Sequence, residues 1–546
     1  MILAKPVAPV FKYRFNRAAF ICFVLGVSAV QISYIFDGIP FLDPGVLLLI
    51  PSFLFFIIAL LGEWTWESKD YRFGLALLAA AVAIALLYKF KFQVGTFDHA
   101  YHTIKTVSYS IKNSFSSKFL GGRTDERLYL IDFIENIWGL AWRYIHWDYI
   151  IVLIQIFPVF VLWRQLVEYF RNRGIEQLSG FLSAIIILSM QIIWAQACST
   201  LVDSLAGMIA ALTLLRISDL LSLPESRHRF NITATAFLSI LCLLPKPSLI
   251  FLALLGLGVS GWFAATRLSK RQVFITFLIL LPSVGFGLKH YCSVWIRKGT
   301  PFYPWFGCPT YGAIRGWEAH GVFPEWYRYP VYVGNYAFHF KPLYVLSSWL
   351  YDYKLGDVIP SPMVDVGNGL LWTYLVVPIL ALALIAGILR IRKFKSFPPS
   401  AILLVFFVLI YYFMDVSVIN RFMLGFNIFI MAWALAWILG KIKETGKTVW
   451  PWLSMMAACF VLVLACLSFF QAIQGAGLQI KVISVLEGQR QLFPRYIDAG
   501  SFQERYRRMI FKEHKSLHRS PPDDQFGDVL RNYQTLKFMN YDPKME

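Results

Sequence analysis

Long apolar runs separated by short polar segments are the dominant pattern of this sequence. A run of about 20 mostly apolar residues is long enough to cross the hydrocarbon core of a bilayer. By this criterion the chain is predicted to contain about thirteen transmembrane helices. They occupy residues 18–36, 45–62, 73–90, 148–164, 179–196, 203–220, 231–245, 248–265, 273–290, 369–389, 399–415, 421–439 and 450–470. The predicted fold class is an all-α polytopic membrane protein with large extracytoplasmic loops that contain amphipathic helices.

The apolar runs divide the chain into six predicted segments. Transmembrane helices 1–3 occupy 1–90, helices 4–9 occupy 148–290, and helices 10–13 occupy 369–470. Long loops fill 91–147 and 291–368, and a charged tail fills 471–546. Within the first loop, apolar positions between 127 and 147 recur every three or four residues, with Glu135 off the stripe. This spacing predicts an amphipathic helix lying on the membrane surface.

Lys and Arg in the short loops predict the orientation, because cytoplasmic loops carry an excess of these residues. With the N-terminus in the cytoplasm, the segments 165–178, 221–230, 266–272, 390–398 and 440–449 are cytoplasmic, and each holds Lys or Arg. The short outer loops 37–44 and 197–202 hold none. Both long loops then face outward, and so does the tail, whose side depends on the span count. The predicted location is the inner (plasma) membrane, with several spans and contact with its lipids.

The composition supports a membrane protein and argues against nucleic acid as a partner. Hydrophobic residues make up 58% of the chain and charged residues only 15%, whereas soluble domains have about 25% charged residues. The net charge of +19 is explained by basic cytoplasmic loops, so no nucleic-acid partner is predicted. Cys292 and Cys308 fall in the second predicted loop and are able to pair if that loop faces an oxidising compartment.

Two carboxylates are candidates for chemistry at the outer face. Asp98 follows the third predicted span and is accompanied by Tyr101 and His102. A carboxylate at a membrane boundary can have a raised pKa and act as a base; it can equally cap the helix that follows. Asp203 opens the sixth span on the same side, where capping of the helix start is again the plain alternative.

Three cations stand out because positive residues are rare on the predicted outer face. Lys246 lies between two prolines in a short turn, Arg297 precedes the second loop, and Arg421 opens the twelfth span. An anionic partner such as a phosphate would explain them, since Arg binds phosphate through two hydrogen bonds. Lipid headgroups or Asp415 are the alternative partners.

Several motifs are absent from the sequence. It contains no Walker A motif, no HExxH and no Cys/His metal spacing, so neither an ATP-driven pump nor a zinc site is predicted. It also lacks an Asp-x-Asp pair, which weakens the case for a divalent metal. No cofactor is predicted.

Five short stretches in this order resemble the GT-C superfamily of integral-membrane glycosyltransferases, in particular bacterial members with an Asp-x-x-Tyr-His stretch in the first large outer loop. They are FDHAYH, WAQACSTLVDSLAGMIAALTLL, LPKPS, RKGTPFYPWFG and INRFMLGF, within about residues 90–440. The resemblance implies an enzyme that takes a sugar from a polyprenyl-phosphate carrier at the extracytoplasmic face. Two spans more than usual precede the first loop, and no acceptor-binding pattern matches.

The resemblance implies that Asp98 is the catalytic base and that basic residues hold the carrier phosphate. The expected substrate-binding residues are Tyr101, His102, Asp203, Lys246, Arg297 and Arg421. The acceptor would be an extracytoplasmic glycan, lipid or protein. Two alternatives stay open: a polyprenyl-linked oligosaccharide polymerase or ligase, and a lipid-linked glycan transporter or flippase. A flippase would need charged residues near the membrane midplane, which are few here.

Overall fold

The computed structural model describes residues 24–32, 35, 133–145, 149–175, 177–188, 190, 193, 202–245, 249–301, 331–333, 336–338, 378–379, 381, 424–445 and 463. In this part the chain is helical except for one antiparallel pair of three-residue strands, β1 (Val331–Val333) and β2 (Tyr336–Phe338). The longer helices are α1 (Phe133–Ile145), α2 (Tyr149–Asn172), α3 (Gln177–Leu188), α4 (Asp203–Ser222), α5 (Arg229–Leu243), α6 (Ile250–Arg267), α7 (Lys270–Lys298) and α8 (Leu424–Thr445).

Three described helices, α4, α6 and α7, are long and apolar enough to cross a membrane. Their burial differs sharply: 83% of the most apolar window of α4 is buried inside the protein, against 28% in α6 and 22% in α7. α4 is therefore a central helix, whereas α6 and α7 are peripheral. These helices support the predicted helical membrane protein; five of the thirteen predicted spans, 45–62, 73–90, 369–389, 399–415 and 450–470, lie wholly or almost wholly outside the described residues.

α7 is longer than the predicted span 273–290. It begins with a capping box, in which Ser269 and Gln272 each bind the other's backbone N–H, and it ends at Gly299, whose φ of 77° is left-handed. Glycine adopts this conformation without the steric cost that a Cβ adds. Cys292 therefore lies on a helix and not in a loop, and it is an exposed free thiol. Its proposed partner, Cys308, is outside the described residues.

Side-chain contacts fix the direction of the helices. Arg227 Nε donates to the Leu220 carbonyl, so α4 ends where α5 begins. Thr233 and Thr276 share a hydrogen bond of 2.9 Å near the starts of α5 and α7. At the other end of the same pair, the Tyr291 hydroxyl donates to the Leu243 carbonyl. α5 and α7 are thus parallel to each other, and α4 is antiparallel to both.

The bundle consequently has two distinguishable ends. One, here called the basic end, contains the turns 173–175, 223–228 and 268–269 with their flanking Arg and Lys residues. The other, here called the distal end, contains the first turn of α4 and the last turns of α5 and α7. The segments predicted to be cytoplasmic at 165–178, 221–230 and 266–272 all meet at the basic end, as charge counting requires.

A buried ion pair joins two elements at the basic end. Arg173 Nη1 lies 2.7 Å from Asp219 Oδ1, and the two side chains are 18% and 5% exposed. The Arg173 guanidinium also donates to the Ser218 hydroxyl and lies 3.4 Å from the centre of the Tyr169 ring. Charges this well enclosed need such partners, and the pair holds the turn after α2 against the end of α4.

Near the distal end, α4 and α8 cross at two glycines. A Cβ added at Gly207 would lie 2.8 Å from Leu424 Cβ, and one added at Gly425 would overlap the Gly207 carbonyl oxygen and come within 2.9 Å of the Ala211 backbone nitrogen. Small residues allow such a close approach of helix backbones. The start of α8 is therefore held against the first two turns of α4.

The structure of α1 differs from one prediction made from the sequence, the exposure of its polar face. Its predicted apolar stripe is buried, with Ile134 at 1% and Trp138 at 0% exposure, but Glu135, expected on a polar face, is also only 2% exposed. The Phe133 ring packs edge-on against Phe286 of α7, with 5.5 Å between centroids. The first turns of α1 are thus buried on both faces, and the prediction of an exposed polar face is wrong at Glu135. Glu135 can be buried because other parts of the protein pack against both faces of α1.

Candidate functional site

Two of the seven predicted site residues, Asp203 and Arg297, lie in the described part of the structure. The other five, Asp98, Tyr101, His102, Lys246 and Arg421, fall outside it. The described residues stop at Pro245 and resume at Leu249 on the two sides of Lys246, and they begin at Leu424, three residues after Arg421.

Asp203 is the first residue of α4 and is only 3% exposed. The N-cap position is taken by Val202, whose side chain makes no capping hydrogen bond. Asp203 is therefore not the N-cap, which was the plain alternative for this residue. Its carboxylate lies in the first turn, where the positive end of the helix dipole favours a negative charge.

Further polar side chains are buried near Asp203. Ser204 is fully buried, and its hydroxyl has no hydrogen-bond partner among the described residues. Asn427 of α8 is also fully buried. It lies three residues after Leu424, so both occupy one helix face, and Leu424 is in contact with the α4 crossing. Buried polar groups cost free energy unless they are satisfied, and in this group it is the Ser204 hydroxyl that has no hydrogen-bond partner among the described residues.

Arg297 lies in the last turn of α7 and is exposed, next to Lys298. It shares the distal end with Asp203, as the predicted common face requires. The two residues are on separate helices that both pack against α5. The structure thus brings them to one end of the bundle but does not bring them into contact.

Heights along the bundle can be compared through α5. Thr213 Oγ1 of α4 lies 3.3 Å from Cys242 Sγ, so the middle of α4 is level with the end of α5. Asp203 precedes Thr213 by ten residues, or about 15 Å of helix. Leu244 lies 3.5 Å from the Cβ position of Gly287, and Arg297 follows Gly287 by ten residues, again about 15 Å. Asp203 and Arg297 therefore extend by similar amounts beyond the end of α5.

The end of α5 is correspondingly lower than the ends of its neighbours. α5 ends at Leu243, and Pro245 directly after it is buried. The end of α5 thus lies about 15 Å below the levels of Asp203 and Arg297. Lys246 directly follows Pro245 in the chain and is outside the described residues.

Two buried polar residues, Asp219 and Asn136, belong to no recognisable sequence motif. Asp219, the partner of Arg173, has one sequence signal, since a carboxylate within an apolar span requires a partner. Asn136 of α1 is fully buried, and neither amide atom has a hydrogen-bond partner among the described residues. The sequence signal that Asn136 is buried is weaker than the signal for Asp219, because an amide next to Glu135 is equally expected on a polar face.

Among the described residues, no group of three or more His, Cys, Asp or Glu side chains is arranged to hold a metal ion. Comparison of the chain with protein-family models, with curated proteins and with solved structures gives no match. The site therefore has to be interpreted from its own chemistry.

Proposed function

We propose that this chain is an integral-membrane glycosyltransferase that moves a sugar from a polyprenyl-phosphate carrier to an extracytoplasmic acceptor. The acceptor would be a cell-envelope glycan, a lipid or a protein. One observation carries the proposal: Asp203 and Arg297, from distant parts of the chain, share the distal end of the bundle, opposite the arginine-rich turns. The positive-inside rule then assigns the distal end to the extracytoplasmic side.

Covalent geometry extends this argument to the two basic residues that flank described helices. Arg421 precedes Leu424 by three residues, a length of chain that spans at most about 11 Å. Because Leu424 contacts Gly207, one turn after Asp203, Arg421 would lie within reach of the Asp203 end of α4. Lys246 would lie in the connection between α5 and α6, three residues after the end of α5. An ammonium group at a membrane boundary needs an anionic or polar partner.

A phosphate-linked sugar fits this set of charges. The acceptor hydroxyl would lose its proton to the Asp98 carboxylate while its oxygen bonds to the anomeric carbon. The bond from that carbon to the phosphate oxygen would break, with inversion, and its electron pair would leave with the polyprenyl phosphate. One carboxylate is enough for the base step. The extra negative charge on the leaving phosphate would be stabilised by Lys246, Arg297 and Arg421.

The remaining predicted residues would position the substrates. Tyr101 and His102 follow the proposed base and would contact the sugar or the acceptor. Asp203, buried at the start of α4, would orient Arg421 or a sugar hydroxyl. A divalent metal is not required by this scheme, because the cations lie on the protein itself.

The test is a transfer assay with purified protein and polyprenyl-phosphate sugars that carry a radiolabel in the sugar. Transfer would place the label on an acceptor and release the free carrier. Asp98→Asn should abolish transfer without weakening carrier binding, because the amide keeps the shape and loses the basic oxygen. A general base contributes about 10²–10⁴-fold to the rate, so the loss should be of that order.

Asp125→Asn, which removes another carboxylate from the same predicted loop, is the matched control and should leave transfer unchanged. Undiminished transfer by Asp98→Asn would exclude Asp98 as the base. Movement of intact labelled carrier across vesicles, without transfer, would replace the proposal with a flippase. Growth of a carrier-linked oligosaccharide would identify a polymerase.

A further inference from the structure

α7 carries an apolar stripe whose large side chains are exposed; among the described residues, Ile35 approaches this face at Gly285, between Leu281 and Leu288. Phe274, Phe277, Leu281, Leu288, Trp295 and Ile296 are between 47% and 85% exposed. Most are separated by three, four or seven residues, so they form one continuous face of the helix. The opposite face is buried, as shown by Thr276, Ser283 and Phe286.

The length of the stripe matches one membrane. From Phe274 to Ile296 there are 22 residue steps, which at about 1.5 Å each give roughly 33 Å. The hydrocarbon core of a bilayer is about 30 Å thick. A protein partner has no reason to require this length, whereas a bilayer does.

Basic residues flank the stripe at both ends. Lys270 and Arg271 precede it, and Arg297 and Lys298 follow it. Headgroup phosphates are negative, so the charges are complementary at both membrane surfaces. Trp295 lies directly inside the second basic pair, where aromatic residues are enriched in membrane helices.

Two exposed hydroxyl groups are satisfied within their own helices. The exposed Ser293 hydroxyl donates to the Lys289 carbonyl at 2.6 Å. On neighbouring α6, the exposed Thr266 hydroxyl donates to the Trp262 carbonyl at 2.9 Å. Lys289 lies at the side of the stripe, and its ammonium donates to the Ile35 carbonyl at 3.3 Å. These two hydroxyl groups therefore need no partner from the hydrocarbon.

We propose that this face of α7 contacts the acyl chains of the phospholipid bilayer, with Phe274 and Ile296 close to the two edges of the hydrocarbon core. The proposal is independent of glycosyl transfer, since it concerns only where the protein meets lipid. It sets the membrane midplane near Gly285 and puts Arg297 and Lys298 at the level of the outer headgroups.

The experiment places a nitroxide label at single cysteines in the full-length protein in phospholipid bilayers. The native Cys292 serves as one position in a background from which the other cysteines are removed. Phe277→Cys, Leu281→Cys and Leu288→Cys supply three more, each in a background that also lacks Cys292. Collision rates with oxygen, which concentrates in lipid, and with a water-soluble nickel complex are measured at each position.

The stripe positions should collide with oxygen more than with nickel, and the ratio should be higher at 281 and 288 than at 277 and 292. The buried control Ser283→Cys should collide little with either reagent. Low collision with both reagents along the stripe would mean that another segment or a second copy covers it. Frequent collision with nickel would mean that water covers it. Either result overturns the proposal. Cys292 needs no new mutation at its own position, so a label there shows whether the result depends on the substitutions made at the other positions.

Discussion

The crossing of α4 and α8 offers a sharp test of how the distal end is built. Gly425→Ala adds one methyl group where it would overlap the Gly207 carbonyl oxygen and approach the Ala211 backbone nitrogen. Both obstacles are backbone atoms, which cannot rotate away as a side chain can. The two helices must therefore separate.

The magnitude follows from two opposing terms. Overpacking a tight site costs about 1–3 kcal/mol. Replacing Gly by Ala within a helix returns about 0.5–1 kcal/mol. Gly425→Ala should therefore lower the free energy of unfolding by about 0.5–2 kcal/mol. It should also reduce glycosyl transfer, because the start of α8 would move away from Asp203.

Gly440→Ala is the matched control, because it lies on the same helix and an added Cβ meets nothing within 4 Å. It should keep transfer intact and stabilise the protein by about 0.5–1 kcal/mol. The measurement is the fraction of folded, monodisperse protein after heating in detergent, together with the transfer rate. Equal stability of the Gly425 and Gly440 variants would refute the proposed close packing of α4 and α8.

Two further predictions concern other parts of the bundle. Asp219→Asn removes the partner of Arg173 and should destabilise the protein by about 2–4 kcal/mol, because the guanidinium stays largely enclosed; heat or denaturant unfolding measures this, and an unchanged midpoint would contradict it. Gly256→Ala drives a methyl group into Ser239 and should lower the melting temperature, whereas Gly261→Ala on the same helix meets nothing within 4 Å and should not. Adding Ser239→Ala should recover part of the loss, and no recovery would show that the clash lies elsewhere.

Hydropathy alone predicted the start of α4 at Asp203, because a polar residue there interrupts a long apolar run. Hydropathy underestimated the length of α7, because Lys289 and His290 interrupt the apolar run. In the folded chain the Lys289 ammonium binds the Ile35 carbonyl, so the helix continues through the charge. That partner is more than 250 residues away in the sequence, and local patterns cannot reveal it.

α2 shows the same limit. Its apolar run ends near residue 164, but the helix continues to Asn172 with Tyr169 and Phe170 fully buried. The contact of Tyr169 with Arg173, and of Arg173 with Asp219, encloses these residues. Charge counting grouped Arg173 with the other basic turns, and the described helices do bring these turns to one end of the bundle. It did not predict an ion pair, because the pairing depends on how α2 and α4 pack.

For the candidate site, the sequence predicted which charged residues share one end but not their depth. Asp203 and Arg297 were assigned to one face from loop charges, and the described helices agree. The lower position of the end of α5 was not predicted, because hydropathy counts residues and does not compare heights. Its cause is that α5 has only 15 residues, against 20 in α4 and 29 in α7.

The short length of α5 has a consequence for how the proposed lipid-linked substrate would reach the site. The end of α5 lies about three helical turns below the end of α7, and α6 and α7 are much less buried than α4. If the proposed polyprenyl carrier is the substrate, it would approach laterally from the membrane between these helix ends, with its tail in contact with acyl chains throughout. Its tail would stay dissolved in the membrane during turnover, and only the sugar would need to meet water.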